Sequence, residues 1–469
     1  MVFSSIAFLC LFFPVVFLLH LILPKGQLKN AVLIASSVLF YAYGEPVYVL
    51  LLLFSVALNY LLGLALSKKK RKSVLAAAVV VNLSLLVVFK YTGFLLESVN
   101  GLLPGGVSIP VPSITLPIGI SFYTFQALSY VIDVYREQVP VQRSFFKLLL
   151  YVSFFPQLIA GPIVKYHDIE KEIDNRTVTA EGVKSGLFRF AAGLGKKVLI
   201  ANAMAYMADT LFALGNGEWT LASAWVGAVS YFLQIYFDFS GYSDMAIGLG
   251  RLFGFHFQEN FNYPYISGSI QEFWRRWHIS LSTWFKDYLY IPLGGNRKGK
   301  NRTVLNKYIV FLATGIWHGA NWTFLIWGLY HGTLQMLEQK GIIPVKKGRK
   351  VFNHVYTVLA VLLGFVIFRA DNILQGLTVI KAMFGFGAKG GVGYLTARAL
   401  LSPYYLFLFF IAVLAATPFW KMLCSRLGNT ERRAAVLDYG KAAGCLIVLL
   451  LSLMSLAANS YNQFIYFRF

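Results

Sequence analysis

Acidic side chains are scarce in this sequence, with 20 Asp and Glu against 42 Lys and Arg and a formal charge of +22. Charge of either sign is scarce too. Only 13% of the 469 residues are charged and 57% are hydrophobic, against roughly 25% and roughly 45–50% in soluble domains. A soluble chain of this length would fold as two or three domains with charged surfaces, and this composition cannot cover them. Cysteine is limited to Cys10, Cys424 and Cys445, without CxxC or Cys/His spacing, which excludes a disulfide scaffold and a zinc or haem site. The GxxxxGKS/T, HExxH and GxSxG signatures are missing, as is a His-x4-Asp pair. P-loop ATPases and zinc proteases are therefore set aside.

What the sequence does have is long apolar runs, from Phe8–Leu23 to Leu446–Leu456, separated by basic clusters such as Lys68-Lys69-Lys70-Arg71-Lys72. About 20 apolar residues cross a bilayer, and basic punctuation of such runs is what the positive-inside rule produces. The positive excess thus reflects topology and anionic lipid, and no nucleic-acid partner is expected. The first run has no basic n-region and no cleavage site, so it reads as a retained span. Spans are expected over 3–24, over two halves of 30–67 broken at Gly44-Glu45-Pro46, and over 73–97 and 116–135. The loop Gly101–Pro117 carries no Lys or Arg, as an exterior loop should. Pro156 and Pro162 make 148–164 a broken or re-entrant segment, and the polar stretch Lys165–Lys184 belongs at the interface. Further apolar stretches cover about 187–213, 219–250, 305–337, 353–369, 399–420 and 441–460. Basic residues over 421–441 place that segment in the cytoplasm and the last residues outside. The expectation is an all-α polytopic membrane protein, a single domain over 1–469 without an appended soluble one.

Chemistry concentrates in Phe237–Arg302, where Asp238, Asp244, Arg275, Arg276 and His278 sit among apolar residues. Ionisable groups facing lipid cost about 2.5–3.5 kcal/mol each, so they must pair, line a cavity or lie at an interface. As one helix, Ile270–Tyr288 places Phe273, Trp274, Trp277, Leu281 and Trp284 on one stripe and Arg275 opposite, with His278 at the stripe's edge. An interfacial helix whose arginines hold lipid phosphate accounts for the same pattern. Arg275 and Arg276 lie about 100° apart and are expected to be structural, one of them paired with Asp238 or Asp244. A second feature is Trp317-His318-Gly319-Ala320-Asn321-Trp322. A buried imidazole is either a satisfied core residue or a general base, and Gly319 leaves room for a close approach. His331 follows thirteen residues later, about 20 Å along a continuous helix and on another face, so it cannot share a reacting atom with His318 unless the helix is broken.

The runs Tyr236-Phe-Asp-Phe-Ser-Gly-Tyr-Ser-Asp-Met-Ala-Ile-Gly248, Glu272-Phe-Trp-Arg-Arg-Trp-His278, Leu293-Gly-Gly-Asn-Arg-Lys-Gly299 and Trp317-His-Gly-Ala-Asn321 resemble the membrane-bound O-acyltransferase family. Within it, they resemble the bacterial alginate O-acetyltransferase branch. The resemblance runs the whole length and implies a ring of about 11–12 transmembrane helices, with re-entrant and interfacial helices, around a central tunnel. It implies a catalytic core over about 116–335, with a last span and tail over about 441–469. The family's catalytic histidine matches His318, its second active-site position matches His278, and Asp238, Asp244, Arg275, Arg276, Asn321 and His331 become candidates for tunnel lining or polar support. No metal and no tightly bound cofactor is implied. Acetyl-CoA is the implied acyl donor. An exported or membrane-anchored acetyltransferase and a cell-envelope polysaccharide are the implied partners, at the bacterial cytoplasmic membrane.

The resemblance extends to the last residues, Phe464-Ile-Tyr-Phe-Arg-Phe469, where the Tyr466 hydroxyl is a candidate acyl relay. An interfacial aromatic belt accounts for the same residues. D-alanyl transfer onto teichoic acid, or another acyl transfer in the same fold, is the alternative function. A transporter or flippase is a third class, but it predicts interrupted helices in two repeats, and the sequence has none.

Overall fold

Backbone N–H and C=O groups in lipid find partners only within a helix or a closed barrel, and the apolar runs of this chain form helices. The computed structural model describes residues 1–24, 26–68, 70–104, 107–345, 348–427, 430–458 and 464–465. Apart from one isolated bridge between Thr220 and Ala388, the regular structure among the described residues is helical. Tyr466 lies outside the described residues. By length and composition, four described helices are each able to cross a bilayer, or five if one bent pair is a single span. About eleven or twelve crossings are expected from the sequence; of the other described helices some, such as Phe8–Ile22 and Ile373–Met383, are too short, and others, such as Leu221–Leu252, are long enough but not apolar enough.

The chain forms two compact units, Met1–Phe190 with Met245–Gln258, and Ala191–Asp244 with Glu259–Phe469. The first contains α1 (Phe8–Ile22), α2 (Gln27–Gly44), α3 (Val49–Lys68), α4 (Lys72–Asn100), α5 (Ile120–Tyr135), α6 (Phe145–Ser153) and α7 (Tyr166–Asn175). Helices α3 and α4 are joined by a reciprocal amide pair. Asn59 and Asn82, both fully buried, each donate to the other's Oδ1, at 3.0 and 2.9 Å. Such interhelical polar bonds contribute about 1–2 kcal/mol in a membrane. The proline-containing stretch after α6 is only a four-residue helix, Phe155–Leu158, followed by irregular chain, as a re-entrant or broken segment requires.

The chain passes into the second unit within α8 (Ala180–Gly195), which continues as a π-helical turn over Lys196–Ala201 and then α9 (Asn202–Phe212). The long α10 (Leu221–Leu252) follows, then two short helices, α11 (Ile270–Arg276) and α12 (Ile279–Phe285). A hairpin of α13 (Lys300–His318) and α14 (Trp322–Gln339) precedes α15 (Lys350–Arg369) and α16 (Ile373–Met383). Then come α17 (Val392–Leu400) and α18 (Pro403–Ala415), bent by 70°, followed by α19 (Phe419–Leu427) and α20 (Glu431–Ala458). The α13–α14 hairpin is closed by glycines at their crossing. A Cβ on Gly315 would stand 2.4 Å from the carbonyl oxygen of Phe324, and one on Gly328 2.5 Å from that of Phe311. No side chain fits there, so the two backbones are in contact. The chain reverses at Gly319–Asn321, and His318 and His331 therefore lie on two antiparallel helices rather than one continuous one.

Candidate functional site

The expected single amphipathic helix over Ile270–Tyr288 is not formed. It is broken at His278, which adopts φ 43° and ψ 56°, a left-handed conformation that costs a non-glycine residue about 1–2 kcal/mol. Tertiary hydrogen bonds hold the break open. Asn262 N–H donates to the Arg276 carbonyl and Ile279 N–H to the Asn260 carbonyl, both at 2.9 Å, so 260–262 clasps 276–279 like a short strand pair. The start of α11 is capped twice. Ser269 Oγ accepts from Glu272 N–H at 2.9 Å, and the Glu338 carboxylate of α14 accepts from Ile270 and Gln271 N–H at 2.7 and 3.1 Å. A carboxylate at a helix N-terminus is favoured by its unpaired N–H groups and dipole.

The clasp also decides which nitrogen of His278 carries the proton. Asn260 Oδ1 accepts from Ser280 N–H at 3.2 Å and from Ser280 Oγ at 2.9 Å, while its Nδ2 donates to Ser243 Oγ at 2.9 Å. A backbone N–H only donates, so the amide orientation is set. His278 Nδ1, 3.1 Å from that same Oδ1, must then be the protonated nitrogen. Its Nε2 is left as an acceptor, buried, with no hydrogen-bond partner among the described residues. Asn260, Ser243 and Ser280 were not anticipated from the sequence; they stand outside the helical pattern, and only the clasp brings them together.

His318 ends α13 and is 7% exposed. Its ring is walled edge-on by Trp317, Trp327 and Phe368, at centroid distances of 5.0, 5.2 and 5.1 Å. The space expected beside Gly319 is taken: a Cβ there would meet the ring of Phe324 at 2.1 Å. His278 and His318 both face one cavity of about 330 Å³, with walls that include Trp274, Trp277, Leu281, Phe285 and Phe311. Arg275, Lys286 and Lys307 stand on the same wall. A second, more polar cavity of about 670 Å³ shares Gln271, Lys307 and Gln335 with it and adds Lys300, Thr303 and Glu338. A third space of about 10 Å³ touches His318 together with Phe239, Trp277, Phe365 and Ile465.

The remaining candidates divide. Arg275 is on the cavity wall. Arg276 pairs with Glu272, one turn earlier, at 2.8 Å and donates to the Asn262 carbonyl at 3.1 Å. Among the described residues the expected arginine–aspartate pairing is not formed. Asp238 is instead paired with Lys197 at 2.8 Å and Asp244 with Lys196 at 2.6 Å. Two neighbouring lysines both reach α10 because they sit in the π-helical turn, and Gly241 of α10 lets that turn approach; a Cβ there would lie 2.8 Å from the Gly193 carbonyl. Asn321 is a helix cap, accepting from Thr323 N–H at 3.0 Å and donating to the Asp371 carbonyl at 2.9 Å. His331 is fully buried behind the cavity wall, against Trp274 and Trp327 at 5.1 and 5.2 Å. Among the described residues no group of three or more His, Cys, Asp or Glu is arranged to hold a metal ion.

Comparison with known proteins adds an independent finding. The sequence pattern of the membrane-bound O-acyltransferase family matches residues 47–344. The chain is 40% identical to a probable alginate O-acetylase of Azotobacter vinelandii, with all of both chains covered. It is 34% identical to a peptidoglycan O-acetyltransferase of Helicobacter pylori, covering 100% of this chain and 98% of that one. It is 29% identical to a teichoic acid D-alanyltransferase of Bacillus subtilis over 54% of this chain and 68% of the relative.

Proposed function

Because the chain belongs to the membrane-bound O-acyltransferase family, we propose that it takes acetyl groups from cytoplasmic acetyl-CoA and passes them across the bacterial cytoplasmic membrane for O-acetylation of an exported cell-envelope polysaccharide. That the chain is an O-acyltransferase follows from the family. Acetyl rather than D-alanyl transfer is favoured because the O-acetylating relatives match end to end, whereas the D-alanyl relative matches half of this chain.

The observation that carries the reading is the pair of buried imidazoles facing one apolar cavity. In the transfer step a hydroxyl oxygen attacks the thioester carbonyl. His318 takes the hydroxyl proton, the C–S bond breaks, and the proton is returned to the departing thiolate. A positioned base of this kind contributes about 10²–10⁴-fold, and the aromatic walls keep water from the thioester. His278 lines the same cavity with its ring fixed by Asn260 and positions the reactants beside His318. Arg275 and Lys286 on the wall, with Lys307 and Lys300 of the polar cavity, suit the phosphates of CoA. The first hydroxyl is that of Tyr466, whose acetyl ester passes to an exported or membrane-anchored acetyltransferase. Its neighbour Ile465 lines the small space against His318, which supports a tail inserted at that point. A phenol of pKa about 10 forms an ester activated enough for onward transfer.

The test is CoA release from acetyl-CoA by the purified, reconstituted protein. His318→Ala and His318→Gln should fold normally and lose at least about 100-fold in rate. Retained release in both removes His318 from the mechanism, and retained substrate flux without CoA release makes the protein a transporter.

A further inference from the structure

Lys197 and Asp238 are buried in the second unit and do not line the cavity that His278 and His318 face. Their side chains are 3% and 2% exposed, with Nζ and Oδ1 2.8 Å apart. Desolvation offsets most of the attraction in such a pair, so an apolar pair of equal volume would hold the helices at least as well. Stability alone does not account for it. The other carboxylate oxygen of Asp238 is engaged as well, accepting the main-chain N–H of Ile465 at 2.8 Å from 227 residues away in sequence. The preceding residue is seated at the same place. Phe464 stacks on Tyr242 of α10, with centroids 4.6 Å apart and planes at 25°, and the Lys197 ammonium lies 5.9 Å from the Phe464 ring. Ile465 then forms one side of the small space around His318.

We propose that the buried Lys197–Asp238 pair is the receptor for Phe464 and Ile465, gripping the chain by the main-chain N–H of Ile465 and so holding Ile465 at the small space beside His318. Lys197 holds the carboxylate in place at 2.8 Å, and away from water a carboxylate's bond to an N–H is strong. Phe464 in the Tyr242 slot sets the register, since a slip by one residue would remove either the ring contact or the hydrogen bond. Lys197 and Asp238 are on this account positioning residues. Only the last consequence, delivery of the Tyr466 hydroxyl, rests on the relay reading above; the docking itself does not.

The experiment is made on the full chain. Ile465 is replaced by its α-hydroxy acid through nonsense suppression, turning one amide into an ester and deleting the N–H without altering any side chain. Hydrogen exchange of the tail amides is read by mass spectrometry, together with acetyl transfer. Loss of a hydrogen bond to a charged group should raise tail exchange about tenfold or more. It should lower kcat while leaving KM for acetyl-CoA unchanged. Asp238→Asn should do the same and add nothing in the ester variant, whereas Lys197→Arg should retain native protection. If Asp238→Asn fails to fold, the ester variant still decides. Native exchange in the ester variant overturns the proposal. Tyr466→Phe should leave exchange as in the native chain, so full transfer in that variant would remove the relay while leaving the dock in place.

Discussion

At the scale of single residues, the feature that organises the site is the left-handed turn at His278. Three hydrogen bonds converge on Asn260 Oδ1, from His278 Nδ1, Ser280 N–H and Ser280 Oγ, and these offset the cost of the turn. Losing them leaves a buried imidazole free to rotate or change tautomer. Asn260→Leu is therefore expected to destabilise the protein by about 1–3 kcal/mol and to slow acetyl transfer about 100-fold, mainly in kcat. Thermal unfolding and CoA release on the same preparation check both. Rates within a few-fold of native would show that the tautomer of His278 does not matter. His331 illustrates the opposite case. It is equally buried, but it packs behind the tryptophans rather than on the cavity, between α14 and α15, where a Cβ on Gly364 would lie 2.6 Å from its Nε2.

At the scale of elements, polar anchors decide where short helices sit. Helix α7 is held by His167, whose Nδ1 lies 3.1 Å from Asp133 of α5 and whose Nε2 lies 3.2 Å from Asp168. The hydrogen bond to Asp133, and then that to Asp168, push the imidazole pKa up from 6.5 to about 9. A raised folded-state pKa means that the imidazolium stabilises the fold fully below the unfolded value of about 6.5 and loses that contribution as pH rises through about 9. The side chain is 40% exposed, so solvent weakens the effect. The expected outcome is a melting-temperature gap between native protein and His167→Gln that is constant below about pH 6.5 and closes by about pH 9. A gap that widens with pH would contradict the assignment. Histidine and two carboxylates 34 and 1 residues away gave no pattern a sequence reading could use, because the α5 partner is brought in only by packing.

At the scale of the whole molecule, hydropathy is enough to establish a helical membrane protein, and the Trp317–Asn321 and Glu272–His278 motifs contain the two imidazoles that line one cavity. Periodicity failed where tertiary contacts override it. The wheel over Ile270–Tyr288 identified the apolar stripe, and Phe273, Trp277, Leu281 and Trp284 are buried. It was blind to the clasp from Asn260 that splits the helix. Charge counting likewise suggested Arg275 or Arg276 as the partner of Asp238 or Asp244, whereas the π-helical turn supplies Lys196 and Lys197 from another element. The central claim concerns the path of the acetyl group, from a donor to His318 and onto the tail. Its most direct test is to supply isotopically labelled acetyl-CoA on the cytoplasmic side of reconstituted vesicles and map protein-bound label by peptide mass spectrometry. Label on Tyr466, abolished in His318→Ala, is the result predicted here; acetyl transfer that proceeds at the native rate with no label on Tyr466 would contradict it.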